Sequence, residues 1–295
     1  MPLQDLLLAL GNEIEDPEEE TFVLFSQSLP SQNLGFVDPN AKELNITVAK
    51  RDLTIIQSPG LLSSNREGGT TGAVVWKITP LVAEWLVSED NVLFKTSAIG
   101  EHSTVMELGC GISGIVAVSL ALKIRKYIAT DQDYILKALK LNIAENAPKK
   151  KHNERINQRA KSKQTTVSTS DAIHVMALDW ESNAATDLVR VLGDDLSNEP
   201  QTIDVVVACD CIYNEYLIEP FVRVCTETCQ LSSSEKPAFC VIAQQLRSES
   251  VFSEWLEAFH RAFRVWRIPD HLLTEELREG SGFVVHVGVT RSPQS

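Results

Sequence analysis

Glu107-Leu108-Gly109-Cys110-Gly111-Ile112-Ser113-Gly114 follows the apolar run TVMEL (104–108) and leads into a second apolar stretch. It contains a complete G-x-G-x-x-G on Gly109, Gly111 and Gly114. Glycines at this spacing let a strand turn sharply into a helix and let a ligand approach the backbone closely. The motif alone leaves three classes of ligand open: a nicotinamide, a phosphate group or a methyl donor.

Outward from the motif the pattern is regular. Apolar runs at 104–108, 126–131, 173–180, 203–210, 238–244, 263–268 and 283–290 read as seven strands. Helix-like segments at 112–125, 134–147, 182–193, 215–231 and 250–262 lie between them, while 269–282 holds no clear crossover helix. The early strands are nearly continuous apolar runs, as in a parallel sheet covered on both faces. Alternating β and α implies right-handed crossovers. The expected fold is therefore α/β, a doubly wound seven-stranded sheet with an antiparallel last strand. Upstream, LNITVAKRDLTIIQ from Leu44 reads as a β-hairpin turning around Lys50-Arg51-Asp52. REGGTTG (66–72) reads as a loop, and AVVWKITPLVAEWLV (73–87) as a helix with Leu81, Val82, Trp85 and Leu86 on one face. Residues 1–40 read as a partly ordered extension. Residues 41–295 read as one domain, with a basic insertion at 148–170.

The chain carries 27 Lys and Arg against 40 Asp and Glu, a formal charge of −13. That balance repels nucleic-acid backbones and suits a basic protein or peptide as partner. Seven Lys and Arg between Lys149 and Lys163 face Glu154 alone, a local +6 that leaves −19 for the rest. This run reads as a solvated loop. The start, MPLQDLLLAL, has no basic n-region and runs into Glu13, Glu15, Asp16, Glu18, Glu19 and Glu20, unlike a secretory leader. The uncharged run Leu108 to Leu122 is too short for a membrane span. The expectation is a soluble monomer of the cytoplasm, reaching also the nucleus. Cys110, Cys209, Cys211, Cys225, Cys229 and Cys240 have no His at ligand spacing and read as buried thiols, with no metal.

Ligands of a doubly wound sheet bind beyond the carboxyl ends of the strands, at the topological switch point. Strand one ends in the glycine motif. Strand two ends in Thr130-Asp131-Gln132, and a carboxylate there can accept both hydroxyls of a ribose. Strand three ends in Leu178-Asp179-Trp180, an acid and an aromatic suited to border an adenine. Strand four ends in Ala208-Cys209-Asp210-Cys211-Ile212-Tyr213. The glycines and Asp131 fit NAD and S-adenosylmethionine alike. A nicotinamide enzyme also needs a hydride-acceptor site, for which little chain remains, whereas Asp210-x-x-Tyr213 lies where a methyl acceptor would. Glu107 falls near the donor's amino end or fixes the glycine loop. His174 and His286 sit in strand patterns and read as structural.

The combination of TTGAVVW (70–76), ELGCGISG (107–114), TDQ (130–132), LDWE (178–181) and DCIYNEYLIEPF (210–221) resembles the seven-strand protein-lysine methyltransferases of the methyltransferase-like 21 group. Within that group it is most similar to the fungal ribosomal lysine N-methyltransferase 5 proteins, over about 44–147 and 171–290. The resemblance implies a Rossmann-like class I methyltransferase using S-adenosylmethionine. It places cofactor contacts on Trp76, Gly109, Cys110, Gly111, Asp131, Trp180 and Ala208, and the catalytic centre on Asp210 and Tyr213. It also implies a basic substrate, a protein of the 60S ribosomal subunit. Asp210 would hold the incoming lysine Nζ by charge-assisted hydrogen bonding, and Tyr213 would offer its ring to the methylammonium product. Cys110 departs from the commoner Ala, Ser or Thr between these glycines. DNA amino-methylating enzymes place two prolines after the equivalent acid or Asn, where this chain has Cys211 and Ile212. The alternatives are a binding module without turnover, and a methyltransferase for a non-ribosomal protein or small molecule. Contact with ribosomal RNA, if any, would fall on 149–163.

Overall fold

The computed structural model describes residues 2–30, 33–64, 70–147, 172–182, 202–232 and 236–291. The helix expected at 182–193 (Ser182 apart) and the basic insertion at 148–170 lie outside these residues. Ahead of the main sheet come α1 (Pro2–Leu10), α2 (Pro17–Phe25), the strands β1 (Glu43–Val48) and β2 (Arg51–Ile56), and the helices α3 (Pro59–Leu62), α4 (Ile78–Val87) and α5 (Val92–Lys95). The sheet is then built by β3 (Thr104–Leu108), α6 (Ile115–Leu120), β4 (Lys126–Asp131), α7 (Asp133–Asn146), β5 (Ile173–Ala177) and β6 (Val205–Cys209). It is completed by α8 (Ile218–Gln230), β7 (Phe239–Gln245), α9 (Glu249–Ala262), β8 (Phe263–Arg267) and β9 (Phe283–Thr290).

Seven strands form one sheet in the order β5-β4-β3-β6-β7-β9-β8. Strands β3 to β7 run parallel, and β9 runs antiparallel to both β7 and β8. This is the doubly wound sheet with a reversed last strand that the sequence implies. The chain winds outward from β3 to β5 and then returns to β6 on the other side of β3. The crevice between β3 and β6, where Leu108 pairs with Ala208, is thus the switch point. One apolar layer joins Leu6 and Leu10 of α1, Val82 and Trp85 of α4, Ile115 of α6 and Leu139 and Ile143 of α7. The other joins Leu24 of α2, Phe221 and Cys225 of α8, and Trp255 and Phe259 of α9.

Three of the boundaries that differ from the sequence reading fall at left-handed residues, while α4 begins at Ile78 rather than Ala73 and β5 ends at Ala177. The segment expected as helix from 112 becomes helical only at Ile115, because Gly109, Gly111 and Gly114 take φ of +64°, +62° and +61°. A Cβ on Gly114 would lie 2.7 Å from Ile143, so α7 packs directly on this turn. Strand β6 stops at Cys209 because Asp210 turns to φ +59°, a conformation costing a non-glycine residue about 1 kcal/mol or more. The hairpin turns at Ala49-Lys50 (φ +49° and +63°), the two-residue turn whose twist suits antiparallel strands, rather than around Arg51. Glu84 of α4 holds the Ala49 N–H at 2.5 Å. Strand β2 is then bracketed by two asparagines of α7. Asn142 accepts from Ile56 N and donates to Ile56 O, both at 2.9 Å, while Asn146 does the same with Thr54 at 2.9 and 2.8 Å.

The first 25 residues hold two helices seated on the domain. The acidic run forms the cap of α2: Asp16 accepts from Glu18 N and Glu19 N, Pro17 opens the helix, and Glu18 to Glu20 face the helix N-terminus. Ile14 N donates to Val265 O at 2.7 Å, and Glu20 reaches Arg267 and the buried His286, each at 3.4 Å. Among the described residues no helix is long and apolar enough to cross a membrane.

Candidate active site

The glycine turn at the end of β3 spends its N–H groups on the protein itself. Cys110 N donates to Thr130 O (3.0 Å), Gly111 N to the Asp131 carboxylate (2.8 Å) and Ile112 N to Gly72 O (2.8 Å). These three donors are therefore not offered to a phosphate. The Gly72 contact also ties the 70–76 loop over the turn. The same loop reaches the segment after β6 through Thr71 Oγ1, which donates to Tyr213 Oη at 3.2 Å, and is braced by Trp76 Nε1 donating to Thr71 O at 3.1 Å. Trp180 stands against the glycine turn, since a Cβ on Gly109 would come within 3.1 Å of its ring and 2.7 Å of Cys211 Sγ. Its indole meets Phe221 edge-on, with centroids 5.3 Å apart.

At the end of β6, Asp210 is buried with both carboxylate oxygens engaged. Arg247, just beyond β7, forks onto them through Nη1–Oδ2 at 2.8 Å and Nη2–Oδ1 at 2.5 Å, and Gln245 N adds a longer bond to Oδ1 at 3.3 Å. The guanidinium carbon lies 4.9 Å from the Trp76 ring centroid, and Nη1 also donates to Gln245 Oε1 at 3.0 Å. Trp76 packs on Phe36 as well, centroids 4.4 Å apart. The carboxylate expected to take an incoming ammonium is thus already paired.

A cavity of about 290 Å³ opens at this switch point. Trp76, Gly109, Cys110, Gly111, Asp131, Trp180, Asp210 and Tyr213 all line it. Glu107 and Ala208 do not. Ala208 is fully buried within β6, and Glu107 lies beneath the turn, accepting from Tyr127 Oη at 2.8 Å while its own carbonyl accepts from Thr130 Oγ1. Burial pushes the Glu107 carboxyl up to about 7, against the pull of the Tyr127 hydrogen bond. Burial likewise raises Asp131 to about 6, opposed by the Gly111 and Gln132 amides, and Asp210 to about 6, opposed by Arg247. The Cys110, Cys209 and Cys211 thiols are pushed well up by burial and stay protonated. Among the described residues no group of three or more His, Cys, Asp or Glu is arranged to hold a metal ion.

Among the described residues the lining also includes Asp179, Glu181, Asn214 and Tyr216, and no Lys, Arg or His. Of the four carboxyl groups Asp210 is paired with Arg247, and Asp131, Asp179 and Glu181 leave a balance that favours a positively charged guest and opposes a pyrophosphate. The resemblance does not assign Arg247 a role. Its one signal was position: a cation at the carboxyl end of the strand next to the one that ends in Asp210.

A family model described as lysine methyltransferase matches residues 56–259. The chain belongs to this lysine methyltransferase family. Ribosomal lysine N-methyltransferase 5 of Zygosaccharomyces rouxii is 34% identical over 239 residues, covering 74% of this chain and 72% of that protein. The protein of the same name from Vanderwaltozyma polyspora is 28% identical over 311 residues, covering 92% and 94%. A Schizosaccharomyces pombe protein named diaminohydroxyphosphoribosylamino-pyrimidine deaminase is 27% identical over 271 residues, covering 91% of this chain but 56% of its own. The P-C-x-x-C of zinc-dependent deaminases is absent from the present sequence. Among solved structures, a TehB-like S-adenosylmethionine-dependent methyltransferase from Corynebacterium glutamicum has a TM-score of 0.39 at 16% identity, over 65% of this chain and 83% of that one.

For a lysine methyltransferase the donor set is apt. S-adenosylmethionine carries a sulfonium cation, vicinal ribose hydroxyls and a flat base. The cavity offers an excess of carboxylates, Asp131 beside the glycine turn, and the Trp180 ring next to it.

Proposed function

We propose that this S-adenosylmethionine-dependent lysine methyltransferase modifies a lysine of a large-subunit ribosomal protein, as a monomer in the cytoplasm and also in the nucleus. The names of its fungal relatives support a ribosomal substrate. So does charge: a chain at −13 is complementary to basic ribosomal proteins. The observation that carries the reading is the switch-point cavity, whose charged lining is carboxylate, beside glycine-turn amides already paired within the protein.

Bound there, the cofactor supplies an electrophilic methyl group on its sulfonium. Asp131 accepts the ribose hydroxyls and Trp180 borders the adenine. Gly109, Cys110 and Gly111 let the backbone approach, Trp76 closes the side under the 70–76 loop, and Tyr213 directs the amine at the mouth. Glu107 and Ala208 act from beneath, holding the turn rather than touching the cofactor. Alignment and exclusion of water account for much of such a rate.

Incubating purified large-subunit ribosomal proteins with the enzyme and S-adenosylmethionine, followed by peptide mass spectrometry, tests the proposal. A mass step of one CH₂ on a lysine, lost with Asp210→Asn, is the expected result. Absence of any step with wild-type enzyme that still binds the donor would refute the ribosomal substrate.

A further inference from the structure

We infer that Arg247 is a positioning residue that makes the site take the acceptor lysine as the neutral amine. The inference rests on the lysine-methyltransferase reading of the cavity. Three contacts carry it. The Arg247 fork occupies both oxygens of Asp210, at 2.8 and 2.5 Å, in the bidentate geometry that pairs the two charges most completely. Gln245 N takes a further bond to Oδ1. The guanidinium also lies 4.9 Å from the Trp76 ring centroid, so this aromatic face already carries a cation.

An ammonium arriving at Asp210 therefore finds a carboxylate already neutralised and a second positive charge beside it. A like charge this close disfavours the protonated form, whereas a neutral amine meets no such opposition. The neutral amine is also the form that reacts. The lysine leaves its proton to solvent on entry, and its nitrogen lone pair forms the new N–C bond. The electron pair of the broken C–S bond returns to sulfur, and the positive charge passes to nitrogen. Arg247 acts through Asp210, holding it ionised and unavailable to an ammonium.

The other titratable groups at this point are the Cys209 and Cys211 thiols, which end and follow β6, and the Tyr213 phenol, with the Asp131 carboxyl acting on Cys211 and Tyr213 and the Glu107 carboxyl on Cys211 from beneath the turn. Burial keeps both thiols and the phenol protonated. Asp179 and Glu181 line the cavity from the segment after β5.

The test uses n-butylamine as the lysine side-chain probe and the indole N–H signal of Trp76, assigned with Trp76→Phe, on the full chain loaded with S-adenosylhomocysteine. In wild type, apparent butylamine affinity should rise about tenfold from about pH 8 to about pH 9, following the neutral form. Arg247→Met should abolish that rise and bind butylammonium, and Arg247→Lys should restore most of it. With the unmodified ribosomal protein that gains the mass step, Arg247→Met should lower KM and kcat together at neutral pH and displace the kcat profile to higher pH. Donor affinity, by calorimetry, checks that each variant is folded, and Arg247→Lys keeps the test open if the Met variant is not. A flat or falling wild-type pH response, no wild-type response at all, or an unchanged rise in Arg247→Met would overturn the inference. Failure of the ribosomal-substrate proposal looks different: no lysine gains mass, while the butylamine pH dependence persists.

Discussion

Glu107 shows how a single carboxyl couples the site to stability. It is fully enclosed beneath the glycine turn, and burial raises it from an ordinary 4.5 to about 7. Between those values the folded state holds a proton that the unfolded chain has lost. Stability from this group is therefore greatest below about pH 4.5 and declines as pH rises to about 7, by about 3 kcal/mol in all. Asp131 and Asp210 add slopes of the same sign that end near 6. Glu107→Gln keeps an acceptor for Tyr127 and removes one of these slopes. Urea unfolding at about pH 5 and about pH 8 should show the variant gaining on wild type at the higher pH. An equal difference at both pH values would mean that Glu107 is ionised throughout.

At the scale of elements, the β1–β2 hairpin depends on Asn142 and Asn146, one turn apart on α7. Asn142 also donates to Ile112 O at 2.8 Å, which connects the hairpin to the glycine turn. Asn142→Ala would leave Ile56 N, Ile56 O and Ile112 O without this partner, and should destabilise the fold by about 2–3 kcal/mol in chemical denaturation. A loss below about 0.5 kcal/mol would show that water replaces the side chain. The sequence reading found the hairpin, all seven strands and the reversed final strand, because alternation and apolar runs are local signals. The asparagine bracket was not legible, since no periodicity marks which Asn faces a strand some ninety residues away. The early end of β6 was hidden for a related reason: Asp210 gives no glycine signal for its left-handed turn. The residues at the strand ends were legible because the switch-point rule names the places to look. Arg247 escaped because its role depends on which strand lies beside β6.

At the scale of the whole molecule, charge sets how the enzyme meets its substrate. With 40 acidic against 27 basic residues, association with a basic protein should be steered by attraction that salt screens. Raising salt from about 50 mM to about 300 mM should increase KM for the ribosomal protein several-fold and change donor affinity in the cavity far less. Equal effects on both would place the salt sensitivity in the cavity rather than on the outer surface. The same acidic character has a local structural use in α2, where the acids read from sequence as a plain run act as cap and first turn.

The seating of α1 and α2 bears on how the chain comes off the ribosome. Ile14 finds its backbone partner in Val265, and Glu20 its side-chain partners in Arg267 and His286. Residues made early within this domain must wait for strands made about 250 residues later. During synthesis α1 can meet α5 early, but the main partner of α2 is α9, and the backbone bond and ion pairs to β8 and β9 form only when those strands emerge. Docking of these helices therefore closes only after translation of the domain's final strands, and α2 in particular stays uncovered in the interval.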